Sequence, residues 1–293
     1  MQHAVVCFHP TDERVLFALP VGRPHVHRHD RYRLRATRRT YATLEDVDYP
    51  IDASNALQPH QIARADVIGP AGLRPLVAPP QKAGMSESDV SREHEILVGR
   101  DGLLTIAGGK LTTYRRMAGE VVDTAVKLLR LQGDRRTLTP SRTDENPLPG
   151  GQGWPENDDH AEVGKRVRAA SEDRLDEDVA LHLANTYGMR ALAVAKLVKE
   201  DPGLGHRLVP DRPEILAQVT YAATHELAAS VCDVMVRRTQ LFYRDVDQGL
   251  GCVEAVAHEL GRRLGWDDKT QRRSADAYRA EVALSRRWRE ETR

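Results

Sequence analysis

The chain has 293 residues, 40% of them hydrophobic, which is enough for one large or two ordinary domains with a buried core. Lysine plus arginine equals aspartate plus glutamate, 43 each, so no global field favours nucleic acid or an anionic membrane surface and any basic site must be local. Three scattered cysteines, Cys7, Cys232 and Cys252, exclude a disulfide framework and a Cys-x-x-Cys metal knuckle and suit a reducing cytoplasm.

The N-terminal "MQHAVVCFHP" begins directly in a β-branched run, as though read from the middle of a sheet, and lacks the pattern of a secretory signal. No apolar run approaches the roughly 20 residues that span a bilayer. "AVVCF" and "RVLFALP" read as two strands joined by the polar "HPTDE". Next comes "HVHRHDRYRLR", residues 25–35, with His25, His27 and His29 at alternate positions among four arginines. On a strand the histidines would share one face and could ligate zinc or copper, and the arginines with Tyr32 could form a nucleic-acid arm. With no cysteine within easy reach and a neutral chain around it, a solvated strand remnant that leaves its sheet is the favoured reading. No nucleic-acid partner and no metal are expected.

Helical spacing returns in "ATLEDVDYPIDASNAL", followed by an extended, glycine- and proline-punctuated stretch to residue 80 and a polar, mobile-looking one to residue 95. "GLLTIAGGKLTTYRRMAGEVVDTAVKLLRL" reads as a strand, a Gly108-Gly109 turn and an amphipathic helix whose Met117, Val121, Val122, Ala125 and Leu129 form one buried face. Residues 132–160, rich in Gly, Pro, Asp and Asn, read as a linker. Everything from 161 to 293 has helical spacing. Asp211 and Pro213 suggest the cap and first residue of one long helix reaching Tyr243; further helices cover "VEAVAHELGRRLG" and the chain from about residue 270. His225-Glu226 and His258-Glu259 lack the second histidine of a His-Glu-x-x-His zinc site and read as surface helix residues. The expected class is α+β, with a mixed sheet in 1–131 and an all-α domain in 161–293.

A strand that enters a helix through two glycines leaves backbone N–H groups and a positive dipole end open, which suits an anion or an electron-rich ring edge. Lys110 adds a full charge there, and Thr112 and Thr113 add hydroxyls. Arg74, between leucine and proline in "AGLRPL", is either a surface residue or an anion clamp. For a lone Gly-Gly-Lys an ordinary tight strand-to-helix turn is the favoured reading.

Taken together, "AGLRPL" (71–76), "SREHEI" (91–96), "LLTIAGGKLTTYRRMA" (103–118), "PLPGG" (147–151) and "DVMVRRTQL" (233–241) resemble, in order and spacing, the C-terminal half of the FAD-dependent glycerol-3-phosphate dehydrogenases. The resemblance implies that 1–131 is part of a substrate-binding and flavin-edge domain. It also implies that Gly108, Gly109, Lys110, Leu111 and Thr112 contact FAD, while Arg74 and Lys110 border glycerol 3-phosphate. The reaction it implies is oxidation of sn-glycerol 3-phosphate to dihydroxyacetone phosphate, with hydride leaving C2 for the flavin and electrons passing to membrane quinone. The cofactor carries the redox chemistry and the protein positions it. No proton-abstracting base is assigned. Arg237, Arg238 and Thr239 are assigned to packing and salt bridges before any phosphate role. A cytoplasmic chain, peripheral on the inner membrane face, follows from the family; a homodimer stays open.

Two departures qualify that picture. The family's Gly-x-Gly-x-x-Gly pyrophosphate cradle is missing; "GLGCVE" from Gly249 lacks the third glycine. An alternative reading is therefore a non-catalytic truncated or frameshifted remnant. After "VLFALP" the family continues with a string such as Trp-Gly-Asp-Arg-Thr-Tyr-Ile-Gly-Thr-Thr-Asp-Thr-Asp-Tyr, and codons compatible with Val21 to Arg35 yield that string when read one base later. A one-base insertion after the Pro20 codon, compensated before about Ala42, is the hypothesis; coding DNA that cannot be read in the shifted frame would end it.

Overall fold

A computed structural model of the chain describes residues 5–11, 15–20, 25–28, 40–57, 59, 61–68, 71–72 and 93–291. Among them the chain divides into two compact units: residues up to Ala71 together with 148–291, and Gly72 together with 93–147. The expected α+β class is found. Where the sequence suggests a mixed sheet, every described strand pair is antiparallel. The reason is local: the strands are joined by short connections, and parallel pairing needs a crossover of a dozen residues or more.

In the first unit, β1 (Val5–Phe8), β2 (Val15–Pro20) and β3 (His25–Arg28) form a sheet in the order β1-β2-β3. The basic stretch thus does not leave the sheet as expected. Its first residues pair in register with β2, Pro20 opposite His25 and Phe17 opposite Arg28. Backbone pairing is indifferent to side-chain identity, and β3 is the edge strand, where charged residues are tolerated. Residues 29–35 of that stretch lie outside the described residues.

Helix α1 (Leu44–Leu57) starts at a reciprocal cap: Asp46 N–H donates to the Thr43 hydroxyl, and Thr43 N–H donates to the Asp46 carboxylate. Its Leu44 and Val47 pack with Ala42 and the buried Trp288. The same junction is tied by Leu44 N–H donating to Glu291 Oε2 at 2.9 Å and by Arg287 lying 4.5 Å over the Tyr41 ring. The two ends of this unit's sequence therefore share one small core.

The helical part holds two larger cores. The first packs α3 (His160–Ala170), α4 (Glu177–Tyr187) and α5 (Ala191–Glu200) through Val163, Val167, Leu183, Val194 and Val198. The second is built by α6 (Leu216–His225), a short α7 (Leu241–Arg244), α8 (Val253–Leu264) and α9 (Asp268–Ser285), and includes Val219, Met235, Leu241, Leu260 and Tyr278. Helix α6 serves both, offering Ala217 and Tyr221 to one and Val219 and Ala222 to the other. Full burial of each such Val or Leu contributes about 1.5–3 kcal/mol. Asp159 and Asp267 cap α3 and α9, accepting from Glu162 N–H and Thr270 N–H.

The single long helix expected from Pro213 to Tyr243 is instead three pieces. Residues 207–215 form a loop closed by an antiparallel bridge between Arg207 and Ile215, with Leu208 N–H donating to Glu214 O and Leu216 N–H to His206 O, so helix α6 starts only at Leu216. It ends where Leu227 takes a left-handed backbone, φ 57°, and Ala228 N–H closes back on Ala222 O. A wide π-helical turn follows at Asp233–Arg238. Sequence spacing alone carries no sign of these hydrogen bonds.

The second unit is a hairpin and a helix. Strands β4 (His94–Val98) and β5 (Leu104–Gly108) pair antiparallel, with Gly99 N–H donating to Leu103 O across the turn. A single 3₁₀ turn (Leu111–Thr113) leads into α2 (Tyr114–Leu131). None of the described residues 93–147 is buried. The buried face expected on α2 is accordingly only half realised: Met117, Val121 and Ala125 are partly covered, while Val122 is 55% and Leu129 37% exposed. The described residues of this unit provide a two-stranded hairpin as cover, too small to hide a helix face.

The domain boundaries read from the sequence fall at 131 and 160, whereas the compact units meet at 147 and 148. Hydrogen bonding accounts for the shift. Met189 N–H donates to Gly150 O at 2.8 Å, and a Cβ on Gly150 would stand 2.5 Å from Tyr187 O, so "PGG" is built into the helical unit.

Candidate functional site

The strand-turn-helix at 104–131 holds the residues singled out above. Gly108 and Gly109 both have left-handed backbones, φ 75° and 81°. At Gly109 a Cβ would meet Met117 Sδ at 2.5 Å and the His94 side chain at 3.2 Å, so the position requires glycine on two counts, conformation and space. Lys110 is extended and exposed, and among the described residues no carboxylate pairs with it. Leu111 is 89% exposed, and Thr112 is open beside it. Thr113 departs from expectation. Its hydroxyl donates back to Lys110 O at 3.0 Å, as does its N–H, so it finishes the turn rather than facing a ligand.

Three residues absent from the sequence-based site lie beside it here: His94, Arg116 and Glu120. His94, opposite Gly108 in the register, has its Nε2 2.8 Å from Glu120 Oε2 on α2. Arg116 donates to the other oxygen of Glu120 at 2.7 Å. Arg116 first and His94 second hold the Glu120 carboxyl below its ordinary range. Nothing local in the sequence signals this contact: the two residues lie 26 positions apart, and only the hairpin register brings them together.

The arrangement can receive the flat, electron-rich edge of a ring. Two glycines remove side chains from the approach, the start of α2 brings the positive end of its dipole, and an ammonium with no carboxylate partner among the described residues stands beside them. Residues 108–112 therefore fit the edge of a flavin. The sequence contains no Gly-x-Gly-x-x-Gly, so this fit concerns the flavin edge alone. Arg74, the expected substrate arginine, lies outside the described residues.

The helical unit carries the remaining motif residues. Arg237 pairs with Asp233 at 3.1 Å, Arg238 donates to Glu226 O at 2.7 Å, and the buried Thr239 hydroxyl donates to Val234 O at 2.9 Å. All three hold the π-helical turn in place. Glu259, expected at the surface, is 3% exposed; it accepts from Thr220 and from Arg262 and Arg263. Burial works to raise its carboxyl, but these donors outweigh burial and the net direction is down. Cys252 is buried and its thiol is pushed up to about 12, chiefly by burial, which makes it a packing residue. Among the described residues no cluster of three or more His, Cys, Asp or Glu could hold a metal, and no helix is long and apolar enough to cross a membrane.

Residues 141–271 match the family described as the C-terminal domain of alpha-glycerophosphate oxidase. The mitochondrial glycerol-3-phosphate dehydrogenase of Bos taurus is 33% identical over 276 residues, covering 92% of this chain and 36% of that protein. The aerobic glycerol-3-phosphate dehydrogenase of Staphylococcus haemolyticus is 31% identical over 265 residues, covering 89% and 46%. In three dimensions the chain is similar to the glycerol-3-phosphate dehydrogenase of Bacillus halodurans, solved by X-ray in complex with FAD, with a TM-score of 0.75 and 27% identity; 97% of this chain and 53% of that one are covered. The chain thus spans about half or less of the length of these relatives. With its motifs in order and these similarities, the chain belongs to the FAD-dependent glycerol-3-phosphate dehydrogenases, whose C-terminal part it matches.

Proposed function

We propose that this chain supplies the flavin-edge and substrate-facing part of an enzyme that oxidises sn-glycerol 3-phosphate to dihydroxyacetone phosphate. One observation carries the reading: Gly108 and Gly109 open the mouth of α2 with left-handed backbones, and the exposed Lys110, with no carboxylate partner among the described residues, stands beside them. Gly108, Gly109, Lys110, Leu111 and Thr112 would hold the flavin edge through backbone N–H groups and the helix dipole. When bound, FAD would supply the hydride acceptor for C2 of the substrate. Lys110 and Arg74 would bind the anionic substrate as cations, orienting C2 rather than reacting. Quinone as electron acceptor, peripheral attachment to the inner face of the cell membrane in the cytoplasm, and a homodimer belong to the same proposal.

The test is anaerobic titration of the flavin-loaded protein with glycerol 3-phosphate, following the oxidised-flavin band. The band should bleach. Lys110→Ala should raise KM about 10- to 100-fold, as loss of a charge-assisted hydrogen bond does. A bound flavin that glycerol 3-phosphate leaves oxidised would instead favour the non-catalytic reading.

A further inference from the structure

Resting on that functional reading, we infer that His94 and Glu120 are positioning residues that clamp β4 to α2 across the Gly108–Gly109 turn and thereby aim Lys110. A turn of two glycines is the most adaptable piece of backbone a chain can contain, and left to itself it would not present a lysine in one direction. Here the space a side chain would need at Gly109 is already filled: the Met117 sulfur stands 2.5 Å and the His94 Cβ 3.2 Å from where a Cβ of Gly109 would stand. His94 is itself fixed twice, by backbone register to Gly108 and by its ring to Glu120 at 2.8 Å. Because an ionised carboxylate only accepts, the His94 Nε2 carries the proton in this contact. Arg116, one helical turn before Glu120, donates to the second carboxylate oxygen at 2.7 Å and fixes its rotamer.

The clamp ties α2, which follows the turn, to β4, the partner of the β5 strand that leads into it. The His94 side chain is 16% exposed and Glu120 41%, whereas Leu111 on the turn is 89% exposed. This suits a support behind the site rather than a group within it.

The experiment compares wild type with His94→Ala, Glu120→Ala and Glu120→Gln. Backbone ¹⁵N order parameters at Gly109 and Lys110, measured on the chain itself, should fall in both alanine variants from about 0.85 toward 0.6 or below. Glu120→Gln, which keeps an acceptor for His94, should restore them. In the flavin-loaded protein the alanine variants should raise KM for glycerol 3-phosphate about tenfold, with the flavin band retained and the melting temperature of the helical unit unchanged. Order parameters that do not move, or a loosened turn with unaltered KM, would overturn the clamp while leaving the functional proposal standing. A wild-type protein whose flavin glycerol 3-phosphate cannot bleach would sink the functional proposal, and the order parameters would still decide the clamp.

Discussion

The helical unit and the strand-turn-helix unit solve the problem of apolar surface in opposite ways. Between Val163 and Val282 the chain hides whole side chains: Leu183, Met235, Leu260 and Tyr278 have no exposed surface. Between 93 and 131 it hides none, although α2 has apolar residues at helical spacing. Leu111, Tyr114 and Val122 are 89%, 48% and 55% exposed. Amphipathic spacing is thus a statement about what a helix can bury; whether it is buried depends on what is packed against it. The residues of the proposed flavin edge sit on the less covered unit, and the large buried cores sit on the other.

Mutations should separate the two regions. Leu183→Ala, at the centre of the first helical core, should destabilise the helical unit by about 2–5 kcal/mol in urea unfolding, from lost burial plus a cavity. Glu259→Ala should cost about 2–3 kcal/mol, because it strands the buried Thr220 hydroxyl while Arg262 and Arg263 can still reach water. At the other extreme, Val122→Ser on the open face of α2 should change stability by less than about 0.5 kcal/mol. A large loss at Val122, or none at Leu183, would reverse the comparison.

Between these lies a pH effect confined to the helical unit. His182 is 11% exposed, and burial first, then Arg244, push its imidazole down to about 4. Unfolded histidine takes up its proton near 6.5, so between those values the unfolded state binds more protons and stability rises with pH. Acidification through that window should therefore remove up to about 3 kcal/mol. The buried Glu214, whose carboxyl burial raises, acts in the opposite sense and shallows the slope. His182→Asn should flatten the dependence measured by urea unfolding at pH 4.5 and 6.5; an unchanged slope would assign it elsewhere.

Much of this was legible in the residues. Short apolar runs on either side of the polar "HPTDE" gave β1 and β2, glycine punctuation gave the β5 turn, and 3.6-residue spacing gave α2 and α8 within a few positions. Gly108 and Gly109 were readable as special because few residues tolerate a left-handed backbone between a strand and a helix. What stayed hidden depends on partners distant in sequence. The break after His225 rests on Arg238 donating to Glu226 O, twelve residues on. Glu259 looks like any surface glutamate until Thr220 is placed beside it, and His94 finds Glu120 only through the hairpin register. The charges of "HVHRHDRYRLR" pointed away from a sheet, yet backbone pairing at an edge strand places His25–Arg28 within one.

Amide hydrogen exchange, read peptide by peptide along the chain alone, tests the contrast most directly. Helices α3 to α6, α8 and α9 should approach the protection of global unfolding, while α2 and the β4–β5 hairpin should exchange about 100-fold faster or more. Equal protection in α2 and the buried helices would contradict the account, since it would require of 93–131 a stability that its uncovered side chains do not provide.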